Sequence, residues 1–288
     1  VERDHSSNSH LPSVANYIKK IFLVSDNDAF NRLYELIGQE PFNRRLWEMG
    51  YDQAQIRHRV GLPLYEEENR YTNAVRFQEG SQVLYRQPVM HSQLEFPLRE
   101  DYAGHAYYNH HDKLEHRPMN FSHRNRLPLA HLHNILRSII FPETVTKQQR
   151  FRLTEDDYHF LYRCMSQHPE ESSEPTYDPD QYYQAYTRFL LFGGEKNIRI
   201  PEHIRIFNKP GWAYGFLTDT AYIVDFANQT EFLLSASIFV NTTGILGDDQ
   251  PAFEETGKPF LKTLGEIIYR AETARNKKVL PDLSRFKA

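Results

Sequence analysis

Cysteine is nearly absent from this chain. Its 288 residues hold one, Cys164, which excludes an intramolecular disulfide and a cysteine-built metal cluster. Long apolar runs are missing too: nowhere do eighteen apolar residues follow one another, so no stretch reads as a membrane-crossing helix. A large excess of either charge is also lacking. The 34 Lys and Arg against 38 Asp and Glu leave a net charge of −4, which points away from nucleic acid or an anionic membrane surface as the main partner. No secretory leader stands at the start, and no internal repeat or low-complexity tract is found. The opening "VERDHSSNSH" lacks an initiator Met and reads as a polar segment cut from something longer. What is present is 40% hydrophobic residues, 14% of the chain being aromatic, enough for a substantial rigid core in one large domain or two of ordinary size.

Helical spacing opens the chain. In "LPSVANYIKKIFLV", Val14, Ile18, Ile21 and Phe22 share a face, with Pro12 early enough for a first turn. "DAFNRLYELIG" repeats the pattern through Phe30, Leu33, Leu36 and Ile37 and stops at Gly38, a suitable residue to end a helix. "PFNRRLWEMG" predicts a short third helix ending at Gly50. From about residue 57 to 122, Pro, His, Tyr and charge predict an irregular insertion with one hairpin near Val83 to Tyr85.

"LPLAHLHNILRSIIFPE", "TEDDYHFLYRCMSQ" and "DPDQYYQAYTRFLLFG" predict three more helices. Thr154 caps the second, followed by acidic residues that suit the helix dipole, and Gly193-Gly194 closes the third. The character then changes. "HIRIFNKPG", "WAYGFLTDTAYIVDFA" and "EFLLSASIFVN" predict an antiparallel meander with "NQT" as a turn, and "PFLKTLGEIIYRAETARN" a final amphipathic helix over one sheet face. The order gives an α+β class, with a helical domain over residues 1–196 and sheet plus terminal helix over 197–288.

Several polar groups call for a chemical reading. His105, His110, His111, His116, His123, His131 and His133 lie close in sequence. Helical residues two apart face different directions and no HExxH-type spacing is present, so no metal is expected. The tyrosines of "AYYNHHD" and "DQYYQAY" read as core-edge residues or as the lining of a carbohydrate or peptide cleft. Cys164 reads as a small buried apolar residue. Ser25-Asp26-Asn27, between the first two helices, reads by capping preference as an ordinary helix junction.

The surroundings of that triplet give it a second reading. "SVANYIKKIFLVSDNDAFNRLYELIG" resembles the helix–SDN–helix segment of class A β-lactamases and related penicillin-recognising serine hydrolases, including Ala29 after the triplet and the closing Ile-Gly. "IFNKPGWAYGFLTDTAYIV" is similar to that family's Lys-Thr-Gly edge strand, here Lys209-Pro210-Gly211 with Tyr214-Gly215 following. "EFLLSASIFVN" and the terminal helix are similar to its closing strand and helix. The resemblance covers residues 11–50 and about 125–275.

The resemblance implies a β-lactamase/transpeptidase-like fold, a helical domain packed on an antiparallel sheet flanked by helices, with the cleft between them. It implies a serine hydrolase that needs no cofactor and acts on a small-molecule or peptide substrate, in a secreted, periplasmic or lipid-anchored bacterial protein. Acyl transfer from an amide needs a nucleophile, a proton donor to the leaving nitrogen and donors for the oxyanion. By resemblance, Ser25 relays the proton, while Lys209 lies opposite it, favours its alkoxide and attracts a substrate carboxylate. Asn27 bonds a substrate amide, and Gly211, Trp212 and Ala213 supply the strand edge, with one oxyanion donor at Trp212 or Ala213. Asp26 points inward and braces the turn.

Three departures reshape these expectations. Pro210 replaces the family's Thr or Ser, removing a hydroxyl and a backbone donor; proline suits an edge strand, but penicillin is not expected as the natural substrate. The family's nucleophile lies in a Ser-x-x-Lys well ahead of SDN. Only 24 residues precede Ser25 and none holds that pattern; the literal match Ser284-Arg285-Phe286-Lys287 follows the closing helix. The nucleophile is therefore expected on an amino-terminal segment of the same protein missing from this chain, which by itself should be inactive and leave a sheet edge unpaired. In "YEEENRYTN", Glu66, Glu67 and Glu68 stand near Asn69 and Asn73 without the family's spacing for a deacylating base. Glu68 is taken as the candidate base, with a solvated acidic loop as the other reading. A D,D-peptidase or esterase is the alternative activity, and a catalytically silent binding or assembly subunit the alternative of another class.

Overall fold

The computed structural model describes residues 2–248 and 252–287. Contacts divide the chain into two compact units, one of Val1–Ser25, Leu132–Thr243 and Asp249–Ala288, the other of Asp26–His131 and Gly244–Asp248. The boundary expected near residue 196 falls inside the first of them. Helices α1 (Val14–Val24), α2 (Asn27–Ile37), α3 (Gln39–Glu48), α4 (Glu66–Arg70), α5 (Leu129–Ile140), α6 (Glu155–Ser166) and α7 (Lys258–Ala274) accompany antiparallel strands, so the chain is α+β as expected.

The 26–131 unit is built on α2 and α3, which Gly38 joins at a φ of 83°. Its strands are short: β1 (Tyr71–Thr72), β2 (Val75–Glu79), β3 (Gln82–Gln87), β4 (Met90–His91), β5 (Tyr102–Ala103), β6 (Ala106–Tyr108), β7 (Leu114–Glu115) and β8 (Met119–Asn120). The predicted hairpin is β2–β3, turned at Gly80 with a φ of 56°. Elsewhere buried amides do the ordering that regular structure does not. Asn31 accepts from Val60 N at 2.8 Å and donates to Val60 O at 2.9 Å. Asn43 likewise brackets Ile56 at 2.7 and 2.8 Å, and Asn69 accepts from Arg59 N at 2.9 Å. Backbone groups that no ladder satisfies must find such partners.

The other unit is organised by β9 (Ile204–Ala213), β10 (Phe216–Asp225) and β11 (Thr230–Phe239), an antiparallel sheet in the order β11-β10-β9. The predicted meander is therefore present, with one change of boundary. Trp212 and Ala213 end β9 instead of starting β10, because Tyr214 and Gly215 take the turn at φ of 53° and 86°. Two successive positive φ values match the twist of a tight hairpin. A last strand, β12 (Ile245–Leu246), belongs to the unit of Asp26–His131 and Gly244–Asp248 and runs parallel to β6 there.

Alternation gives the sheet two covered faces. Phe207, Tyr222 and Val224 turn to one face and pack with Leu136 and Ile140 of α5, Tyr162 and Met165 of α6, and Phe286. Ile204, Ile206, Leu217, Ala221 and Ile223 turn to the other and pack with Phe189, Leu190, Leu191 and Leu261 of α7. Thr154 caps α6 as predicted: its Oγ1 accepts from Asp157 N at 3.2 Å, and Asp157 Oδ2 accepts from Thr154 N at 2.9 Å. Cys164 on α6 is buried, and burial pushes its thiol up to about 11, which makes it an inert packing residue.

One predicted helix does not form. Residues 178–193 run as successive turns, with Gln181 N on Asp178 O at 3.1 Å and Arg188 N on Ala185 O at 2.9 Å. Two of the donors such a helix would have used internally, the amides of Phe189 and Leu190, go instead to the Asp219 carboxylate at 3.2 and 3.0 Å.

The segment continues through Leu191, at a φ of 75°, against α7. A Cβ on Gly265 would lie 2.3 Å from Leu191 N. Gly265→Ala should thus lower the unfolding free energy by about 1–3 kcal/mol, as overpacking does, although alanine in an exposed helix gains about 1 kcal/mol over glycine. The urea midpoint reads the difference, and an unchanged or higher midpoint would contradict this close approach.

Candidate active site

The junction of α1 with α2 carries the SDN triplet, and the two units meet in sequence within it. Ser25 ends α1 as its C-cap at φ 59° and ψ 43°, its N–H donating to Ile21 O at 3.1 Å. That left-handed conformation costs a β-carbon residue of order 1 kcal/mol and persists only where the surroundings hold it. Asp26 caps α2, accepting from Ala29 N at 2.8 Å. Asn27 stands exposed in the first turn of α2.

Ser25 is held from across its own unit. Lys209, in the middle of edge strand β9, donates from Nζ to Ser25 Oγ at 2.8 Å and to Pro210 O at 2.6 Å. Two residues 184 apart in the chain are thus joined side chain to side chain. Burial pushes the Lys209 ammonium down from 10.5 to about 8, with Asp219 acting in the opposite direction. Since Nζ donates to Ser25 Oγ, the Ser25 proton points elsewhere and is free for a ligand. A hydroxyl beside an ammonium of lowered pKa has the chemistry to pass a proton on.

The sheet register extends this pair into a row. Lys209 lies directly abreast of Thr220, and Thr220 abreast of Ser235, all on one face. Ser235 Oγ bonds His133 Nδ1 of α5 at 2.8 Å. Burial, then Arg137, lower the His133 pKa. Thr220 Oγ1 between them is buried without a partner among the described residues. The next rung, Gly211–Thr218–Ser237, is open: a Cβ on Gly211 would meet nothing within 4 Å.

Trp212 and Ala213 continue the outer strand, exposed, with the Trp212 indole edge-on to Phe189 at 5.5 Å and Tyr186 at 6.4 Å. Among the described residues no strand pairs with the outer edge of β9. Pro210 contributes no N–H there.

The acidic candidates belong to the other unit and have local partners. Glu68 Oε2 accepts from Tyr65 N at 2.6 Å and caps α4. Glu66 lies 3.1 Å from His123 and 3.5 Å from Arg57, and Glu67 lies 2.9 Å from His91. Among the described residues no group of His, Cys, Asp and Glu has the arrangement of a metal site. In the Ser284–Lys287 motif, Phe286 is driven into the core and Ser284 begins a single tight turn.

Sequence reading missed the polar groups behind the site: Arg188, Asn208 and Asp219, all buried. A signal was available. Asn208 follows Ile204 and Ile206 at strand spacing, and Asp219 stands between Leu217 and Ala221, polar residues on apolar stripes.

Residues 3–95 match the family model described as Beta-lactamase enzyme family. That stretch contains Ser25 and not Lys209, and the match supports its relationship to β-lactamase-like proteins. No curated protein matches the chain. Among solved structures, the crystal structure of a β-lactamase from Sphaerobacter thermophilus is similar at 10% identity and a TM-score of 0.43, over 92% of this chain. The chain spans 65% of that structure's length.

A lysine whose folded pKa is depressed binds its proton less readily than in the unfolded chain, so folding stability gains as pH rises between the two values. Relative to Lys209→Met, the wild type should therefore become progressively more stable from about pH 8 to about 10.5. Paired urea titrations across that window measure it; parallel curves would mean that Lys209 is not desolvated.

Proposed function

We propose that this chain belongs to a β-lactamase-related serine hydrolase of the class A pattern, which transfers an acyl group from an amide or ester bond. Its nucleophilic serine would come from a Ser-x-x-Lys setting that these residues do not supply ahead of Ser25. The observation that carries the reading is the 2.8 Å bond from Lys209 Nζ to Ser25 Oγ, which joins the helix junction to the edge strand. The family match over residues 3–95 supports it.

In this reading Ser25 passes its proton to the departing nitrogen, and the adjacent ammonium stabilises the oxygen left behind. The same ammonium attracts a substrate carboxylate. Asn27 hydrogen-bonds a substrate amide, and Asp26 keeps the triplet's geometry through its cap. Gly211, Trp212 and Ala213 offer the strand edge on which an extended substrate lies, with a Trp212 or Ala213 N–H as oxyanion donor. Glu68 would have to release the Tyr65 amide before activating water, so deacylation through it would be slow. Slow deacylation and Pro210 in place of a hydroxyl residue favour a D,D-peptidase or esterase over a small-antibiotic hydrolase. The second reading is a catalytically silent subunit that binds the same ligands.

The full-length protein, treated with a fluorescent penicillin or a fluorophosphonate, is expected to gain one covalent adduct by intact mass. Ser25→Ala and Lys209→Met should each slow its formation by roughly 10²–10³-fold. No adduct with either probe would leave the silent binding subunit.

A further inference from the structure

A buried polar cluster lies directly behind Lys209, and the proposed chemistry makes no use of it. Arg188, Asn208 and Asp219 have no solvent exposure. Their side chains occupy the face of the sheet opposite Lys209, since Asp219 is the register partner of Pro210, and Asn208 and Pro210 alternate with Lys209. The Lys209 ammonium bonds the carbonyl of that same Pro210 at 2.6 Å. Ammonium and carboxyl group thus approach one rung of the β9–β10 ladder from its two sides.

The hydrogen bonds identify the ionisation state of Asp219. Its Oδ2 accepts from Phe189 N at 3.2 Å and Leu190 N at 3.0 Å, and its Oδ1 accepts from Asn208 Nδ2 at 2.9 Å. All of these partners are donors, so a protonated carboxyl would set its own hydrogen against N–H groups. Arg188 donates to Asn208 Oδ1, to Thr187 Oγ1 at 3.0 Å and to the carbonyls of Met165 at 3.1 Å and Gln167 at 2.8 Å. Asn208 therefore links the guanidinium to the carboxylate. Burial leaves the Asp219 carboxyl raised from its ordinary value, while the Leu190 amide, Asn208, Arg188 and the Phe189 amide act against that rise and favour the carboxylate.

We infer that Asp219 is a positioning residue for Lys209: its carboxylate, fixed by Asn208 and the Phe189–Leu190 amides, keeps the Lys209 ammonium charged beside Ser25 from the far side of the sheet. The inference rests on reading Lys209 as the charged partner of Ser25. Among the described residues, the groups that bond Lys209 or lie abreast of it are neutral: the Ser25 hydroxyl from α1, Thr220 on β10 and the Pro210 carbonyl. Asp219 is the charge that counters desolvation of the ammonium, and in a dry interior such a field acts over several ångströms.

Carbon-13 lysine labelling of the 288-residue chain, with Lys209 assigned by Lys209→Arg, allows its titration to be followed by NMR. The wild-type value is expected at about 8. Asp219→Asn should move it down by about one unit, and Asp219→Glu should return it towards the wild-type value. A natively folded Asp219→Asn protein with an unmoved Lys209 overturns the inference and leaves Asp219 a structural acceptor. A wild-type Lys209 at the ordinary 10.5 also overturns the inference, since an ammonium that has lost no hydration needs no charge behind it. The titration reads charge and not turnover, so its failure is distinguishable from a failure to label with penicillin.

Discussion

The register between β9 and β10 is set by the two-residue turn at Tyr214 and Gly215, and the chemistry of the sheet depends on it. With Ala213 opposite Phe216, Lys209 falls opposite Thr220 and Pro210 opposite Asp219. One face then receives the ammonium and the hydroxyl row, and the other the buried carboxylate and its amide partners. A slip of one residue would move every side chain to the wrong face. Slipping β9 in this way would bury Lys209 against Leu217 and Phe189 and carry Ile204 and Ile206 off that apolar face. The positive φ at Tyr214, unusual for an aromatic residue, is a local cost that the paired strands offset.

Ser25 and Lys209 illustrate how a strained residue and a desolvated one are held together. Ser25 is left-handed because α1 ends on it, and its hydroxyl is fixed by a donor 184 positions further along the chain. Lys209 loses hydration and recovers part of it from two oxygens, Ser25 Oγ and Pro210 O. Groups forced into such positions are where proton transfer is most easily tuned.

Much of this was legible in the sequence, for physical reasons. α1, α2, α6 and α7 announce themselves by apolar spacing, and α2 and α6 also by caps at Asp26 and Thr154. The meander shows in its β-branched and aromatic alternation, and the pairing of Ser25 with Lys209 was implied by the resemblance to class A β-lactamases. The 178–193 segment did not yield to the same reasoning. Its helical spacing is real, but a carboxylate thirty residues onward removes two of its amides, and no local pattern reports a distant acceptor. The 57–122 stretch was readable only as irregular, because what orders it is amide brackets from Asn31, Asn43 and Asn69, each set by tertiary placement.

Pro210 has a consequence for how this sheet can associate. A foreign extended chain docking along an open β edge grows by trading donors and acceptors rung by rung. At Pro210 there is no donor to trade, and the carbonyl is already occupied by the neighbouring ammonium. That rung is spent in both directions. A short ligand can still lie beyond it, along Gly211 to Ala213, but a continuous cross-strand template is interrupted at its centre, which guards the protein against fibrillar self-association.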